Sequence, residues 1–122
     1  MSGYDKPLVW IGSSKRDLLA LPLGVFGHAL DFAQHGERHD AAKVLKGFGG
    51  AGVLEIVEDA SRGTYRAVYT VKFAEAVFVL HCFQKKSRSD ISTPKEDMDI
   101  IHVRLKVAQA LAKELQHDKA HD

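Results

Sequence analysis

Apolar positions along the chain recur with two different periods, and the switches between them mark the elements. Leu8-Val9-Trp10-Ile11, bounded by Pro7 and Gly12, reads as a short first strand. Ser14 with Asp17 three residues on has the form of a helix start, and Leu18, Leu19 and Leu21 give that short helix an apolar side. Pro22 can open a second helix, because its missing N–H falls where a first-turn donor is unpaired anyway. Val25, Phe26, Ala29, Leu30 and Ala33 then recur at three and four, and Gly36 is placed to end the helix. Asp40 to Lys46 is expected to add another turn or two of helix with Lys43 and Lys46 outward, ahead of the glycine-rich stretch 47–52.

Three strands are expected next, Val53 to Glu58, Thr64 to Lys72 and Ala76 to Gln84. Turns at Ser61-Arg62-Gly63 and Phe73-Ala74-Glu75 join them into an antiparallel meander. Thr93-Pro94-Lys95-Glu96 places an N-cap threonine, a first-position proline and a capping-box glutamate in order, so a helix begins there. Met98, Ile101, Leu105, Ala108, Leu111, Ala112 and Leu115 mark its apolar face, and residues 117–122 read as a frayed tail. The order β-α-α-β-β-β-α describes a single α+β domain over residues 1–122, with a small twisted antiparallel sheet, two N-terminal helices and a C-terminal helix.

Composition narrows the class without naming a function. A chain of 122 residues, 45% hydrophobic and 27% charged, has the balance of one globule with one core. The longest apolar run is too short to span a bilayer and no leader pattern precedes the first strand, so a cytoplasmic protein without a membrane partner is expected. Cys82 is the single cysteine, which excludes an internal disulfide. A formal net charge of +1 implies no polyanionic partner, so nucleic-acid binding would have to rest on local charge.

Several apparent motifs have plainer explanations. "GFGGAG" satisfies G-x-G-x-x-G, but the dinucleotide fingerprint needs a strand before it and a helix after it, and here a bend into a strand is expected. His35 with His39, and His117 with His121, have a spacing that could grip a metal, yet neither pair has a third ligand nearby, and no metal or cofactor is expected. Trp10 and the phenylalanines read as core, and Cys82 as a small buried hydrophobe.

The unusual stretch is "AVFVLHCFQKKSRSDISTP", a strand apolar on both faces that runs into Lys85, Lys86 and Arg88. A strand covered on both sides is interior, and its end is a rigid mount for charge. Strict alternation puts Val77, Val79, His81, Phe83 and Lys85 on one face and Phe78, Leu80, Cys82 and Gln84 on the other. With a two-residue turn at Ala74-Glu75, position 66 lies across from 83 and 68 from 81, so Arg66 joins the His81, Phe83 and Lys85 face. A one-residue slip would reverse this. Lysines keeping a solvated strand end soluble is the competing explanation of the cluster.

The segment "TYRAVYTVKFAEAVFVLHCFQKKSRSDISTPKEDMDIIHVRLKVAQ" resembles the RelE/ParE superfamily of bacterial toxins, most closely the HigB-like, phage-associated branch. The likeness lies in a Tyr-Arg strand, an aliphatic strand running into Phe-x-Lys-Lys-Ser, a short loop, Thr-Pro, and a helix carrying Arg-Leu. It extends over about Asp40 to Lys113, with "LKGFGGAGVLEI" similar to that branch's glycine turn and glutamate-bearing strand. The resemblance implies a RelE-like fold and the toxin of a type II toxin–antitoxin pair, a metal-free endoribonuclease that cleaves messenger RNA on the ribosome. Its implied partners are a cognate helix-turn-helix antitoxin and ribosome-bound mRNA. By the same resemblance Arg66, Lys85 and Lys86 bind phosphate and stabilise transition-state charge, Glu55 is a candidate base, and His81 is a candidate acid or ring stacker. Lys43, Lys46, Arg88 and Lys95 are assigned to RNA binding. Two departures stand out: Val57 occupies a place where the branch often has arginine, and no aromatic acid follows the lysine pair. A non-catalytic binding module of the same fold, and a gyrase inhibitor of the ParE type, are the alternatives.

Overall fold

The computed structural model describes residues 5–21, 24–50, 52–60, 63–86 and 92–121. Its elements are β1 (Leu8–Trp10), α1 (Ser14–Leu19), α2 (Gly24–Gln34), β2 (Ala42–Val44), β3 (Val53–Ala60), β4 (Gly63–Thr70), β5 (Val77–Lys85) and α3 (Lys95–His121). They form a five-stranded sheet in the order β1-β5-β4-β3-β2. The α+β class, the β3-β4-β5 antiparallel meander, the two N-terminal helices and the C-terminal helix agree with the sequence reading.

The sheet is mixed, because β1 runs parallel to β5 with Leu8 opposite Val77 and Trp10 opposite Val79. A parallel neighbour requires a crossover, and α1 with α2 provides it, carrying the chain from β1 at one edge to β2 at the other. β5 is therefore hydrogen-bonded on both sides, as its apolar faces require. Residues 40–46 do not form the expected helical turn. Ala42 to Val44 pair with Ile56 to Leu54 as an edge strand, where Arg38 Nε and Nη2 donate to the Ala42 carbonyl at 3.1 and 2.9 Å. A three-residue strand is too short to announce its period.

Each face of the sheet carries a helical layer. On one, Leu18, Phe26, Ala29, Leu30 and Ala33 pack on Leu54, Ile56, Ala67, Tyr69, Val77, Val79 and Cys82. On the other, Ile101, Ala108 and Ala112 of α3 pack on Val53, Val68, Phe78 and Leu80. The helix starts and stops differ from the pattern in detail. Ser13, not Ser14, precedes α1, and the Ser14 hydroxyl is fully buried and donates to the Val79 carbonyl at 3.0 Å, tying α1 to β5. α2 ends as expected at Gly36, whose φ of +80° allows the Glu37 N–H to reach back to the Phe32 carbonyl at 2.8 Å. The expected opening of α2 at Pro22 lies outside the described residues. α3 continues to His121, past Gln116 where the apolar pattern stops.

Alternation along β5 is broken once. Val68 pairs with His81, yet the next residue, Tyr69, pairs with Val79, so Leu80 is an extra residue and the strand carries a β-bulge. Consequently Val77 and Val79 face α1 and α2 together with Cys82, whereas Phe78, Leu80 and Phe83 face α3. The strictly alternating assignment of Val77 and Val79 to the face of His81 and Phe83 is corrected by that one residue.

Candidate active site

Beyond the bulge, strands β2 to β5 bring five of the sequence-selected residues to the α3 face. Arg66 lies opposite Phe83, Val68 opposite His81 and Thr64 opposite Lys85. Glu55 lies opposite Val68, and on β2 Lys43 lies opposite Glu55. Directly paired residues of an antiparallel ladder share a face, so Lys43, Glu55, Arg66, His81 and Lys85 are on one side of the sheet.

Arg66 is 2% exposed, and a buried guanidinium cannot lose its charge, so it must be satisfied. Its Nη1 lies 3.5 Å from Glu55 Oε1, and its Nε donates to Thr64 Oγ1 at 3.1 Å. The other Glu55 oxygen, Oε2, accepts from the Thr93 hydroxyl at 2.9 Å. Thr93 was expected to cap α3; its hydroxyl is instead directed across the sheet to the Glu55 carboxylate. Lys85 Nζ donates to the Ser92 carbonyl at 2.7 Å. Ser92 and Thr93, just ahead of α3, thus lie over the carboxylate and the first ammonium of the basic strand end. Lys85 is half-buried, whereas Lys86 is exposed.

His81 is 7% exposed and stacks on Phe83 with ring centroids 4.8 Å apart. Its Nε2 lies 2.7 Å from Asp97 Oδ1 on the first turn of α3. Its Nδ1 faces Arg104 Nη1 at 3.4 Å. Both ring nitrogens are therefore engaged within the fold.

Of the other selected cations, Lys43 is paired with Glu55 at the outer edge of this face. Lys43 and Lys46 are exposed at the β2 edge, and Lys95 is exposed with Nζ 3.0 Å from Asp99. Arg88 lies outside the described residues. Gly63 has φ +104°, and a Cβ there would overlap the Lys85 carbonyl oxygen, so only glycine lets the start of β4 lie against the basic end of β5. Gly63, Ser92, Thr93, Asp97 and Arg104 were not selected from the sequence. A signal existed for two of them: Asp97 and Arg104 interrupt the same face of α3 as Ile101 and Ala108, and charge on a docking face needs a partner beneath it.

The other candidates have structural explanations. Burial pushes the Cys82 thiol up to about 12, with Asp17 adding to the rise and Arg104 opposing it, so it carries negligible thiolate near neutral pH. His35 Nδ1 lies 2.7 Å from the Asp31 carbonyl, and His39 Nδ1 accepts from the Ala41 N–H at 3.0 Å, so the two rings do not converge. Among the described residues, no group of three or more His, Cys, Asp and Glu side chains could hold a metal ion, and no helix is long and apolar enough to cross a membrane.

Residues 17–106 match the family described as phage derived protein Gp49-like (DUF891), a span that runs from within α1 to the middle of α3. The chain belongs to this Gp49-like, phage-derived family. No curated protein and no solved structure matches it.

Proposed function

We propose that this protein is the toxin of a type II toxin–antitoxin pair, of the HigB-like branch of the RelE/ParE superfamily, and that it cleaves ribosome-bound messenger RNA without a metal. The Gp49-like family is consistent with a toxin-like role. The observation that carries the reading is a guanidinium held between a carboxylate and a threonine hydroxyl, on the face where the basic end of β5 emerges.

Cleavage at a ribose 2′-OH requires removal of its proton, neutralisation of charge on the in-line phosphorane, and protonation of the leaving 5′-oxygen. Glu55 is the base. Thr93 already donates a hydroxyl hydrogen to Oε2, the geometry that a ribose 2′-OH would have to take over. Arg66 and Lys85 stabilise the phosphorane, and the Ser92 carbonyl on Lys85 Nζ stands where a phosphate oxygen would be received. Substrate therefore displaces Ser92 and Thr93. His81, engaged at both nitrogens, serves as a stacked scaffold, which leaves proton donation to the exposed Lys86 or to solvent. Lys43, Lys46, Lys95 and Arg88 contact RNA phosphates, and a helix-turn-helix antitoxin is the partner.

The burial of Arg66 favours one competing reading, a non-catalytic binding module in which the Glu55–Arg66 pair only holds the sheet together. Induced expression followed by mapping of RNA 5′ ends separates the two. Cleavage predicts new 5′ ends within translated messages and their disappearance with Lys85→Ala/Lys86→Ala in a variant that remains folded. Intact messages in growth-arrested cells would sink the nuclease reading, and DNA breaks there would point to gyrase.

A further inference from the structure

Arg104 lies where α3, β5 and the turn between β1 and α1 meet. Its Nη1 donates to the Leu80 carbonyl at 2.9 Å, and its Nη2 donates to Ser13 Oγ at 3.1 Å. Ser13 Oγ in turn donates to Asp17 Oδ2 at 2.6 Å. Gly12 has φ +59°, and a Cβ on it would lie 2.9 Å from Arg104 Cζ, so the guanidinium rests against bare backbone. Arginine can only donate. Facing it at 3.4 Å, His81 Nδ1 must present its lone pair, which puts the ring proton on Nε2 for donation to Asp97. Asp97 and Arg104, two turns apart on α3, hold the ring from opposite sides.

Leu80 is the residue without a counterpart in the β4–β5 ladder, and the extra residue of a bulge is left outside the ladder's pairing. Arg104 supplies a partner for its carbonyl. The bulge also decides what faces what. If the pairs nearest the connecting loop, Thr70 with Phe78 and Tyr69 with Val79, continued without interruption, Arg66 would lie opposite Cys82. Phe83 and Lys85 would then turn toward α1 and α2, away from Glu55 and Arg66.

We propose that Arg104 is the positioning residue of the candidate site: by holding the Leu80 carbonyl and orienting His81 it fixes the bulge that brings Phe83 and Lys85 onto the face of Glu55 and Arg66. The consequence for cleavage rests on the function proposed above; the consequence for β5 does not. Lysine in place of Arg104 keeps the charge but cannot serve Leu80, Ser13 and His81 from one planar group.

The full chain, its Arg104→Lys variant and its Gly12→Ala variant are compared by His81 ring nitrogen NMR, amide hydrogen exchange, thermal melting and cleavage of ribosome-bound message. In Arg104→Lys, the Nε2–H tautomer signature of His81 is lost, amides of residues 79–85 exchange at least tenfold faster while those of the β3–β4 ladder do not, and cleavage falls at least tenfold. Gly12→Ala, which retains Arg104 but pushes a methyl group against it, changes His81 and residues 79–85 in the same direction. Wild-type His81 signals and wild-type exchange at 79–85 in a folded variant would overturn the proposal, as would exchange raised uniformly across the sheet. If the wild-type chain cuts no message, the nuclease reading falls, and the NMR and exchange results still decide the role of Arg104.

Discussion

Thr93 Oγ1 donates to Glu55 Oε2 at 2.9 Å, joining the entry to α3 to the middle of β3 across the α3 face of the sheet. The same carboxylate receives Arg66 on its other oxygen, so the proposed base is occupied on both sides before any substrate arrives. Thr93→Val keeps the shape and removes the donor. Its two expected effects have opposite signs: melting temperature falls slightly, because a largely buried carboxylate loses a hydrogen bond worth about 1 kcal/mol, while kcat/KM for message cleavage rises severalfold, because the competing hydroxyl is gone. A fall in both would mean that Thr93 orients Glu55 for catalysis.

Gly63 tests the packing that mounts the basic strand end. With φ +104° and no room for a Cβ beside the Lys85 carbonyl, Gly63→Ala is expected to destabilise the fold by about 2 kcal/mol or more. Denaturant unfolding reads this directly. A variant as stable as wild type would show that β4 and β5 do not meet there as described.

The Tyr69 side chain makes the reverse case. Tyr69 is 1% exposed, and its hydroxyl has no hydrogen-bond partner among the described residues. Burial pushes the phenol up to about 12, with the Arg38 charge opposing the rise. Tyr69→Phe removes a desolvated hydroxyl without opening a cavity, so stability should rise by on the order of 1 kcal/mol, a shift of a few degrees in melting temperature. A drop would reveal a partner for the hydroxyl.

The sequence carried the long-period and strongly apolar features and lost the local exceptions. The α3 stripe, the α2 stripe and the interior character of β5 follow from spacing that packing enforces. The Arg66–Phe83 pairing was reached through an assumed two-residue turn. In the structure the connection between β4 and β5 spans residues 71–76, and the pairs nearest it are offset by one, so the Leu80 bulge restores the expected pairing farther along. Alternation alone cannot reveal such a bulge, because an extra apolar residue in a strand buried on both faces leaves the hydrophobic pattern unchanged. β2 was missed because three residues are too few to display a period, and Thr93 was assigned to its local capping role because a contact with residue 55 leaves no local trace.

Arg66 carries the central claim. A guanidinium that forms part of a phosphorane-stabilising site offers a planar fork that lysine cannot reproduce, and loss of such a transition-state contact is worth on the order of a few kcal/mol, or roughly a hundredfold in rate. The direct measurement is cleavage of ribosome-bound message by purified wild type and Arg66→Lys, each with its melting temperature. Cleavage by wild type, with a loss of roughly a hundredfold or more in a folded Arg66→Lys, is the predicted result. Near wild-type cleavage by Arg66→Lys, or none by wild type, would contradict it.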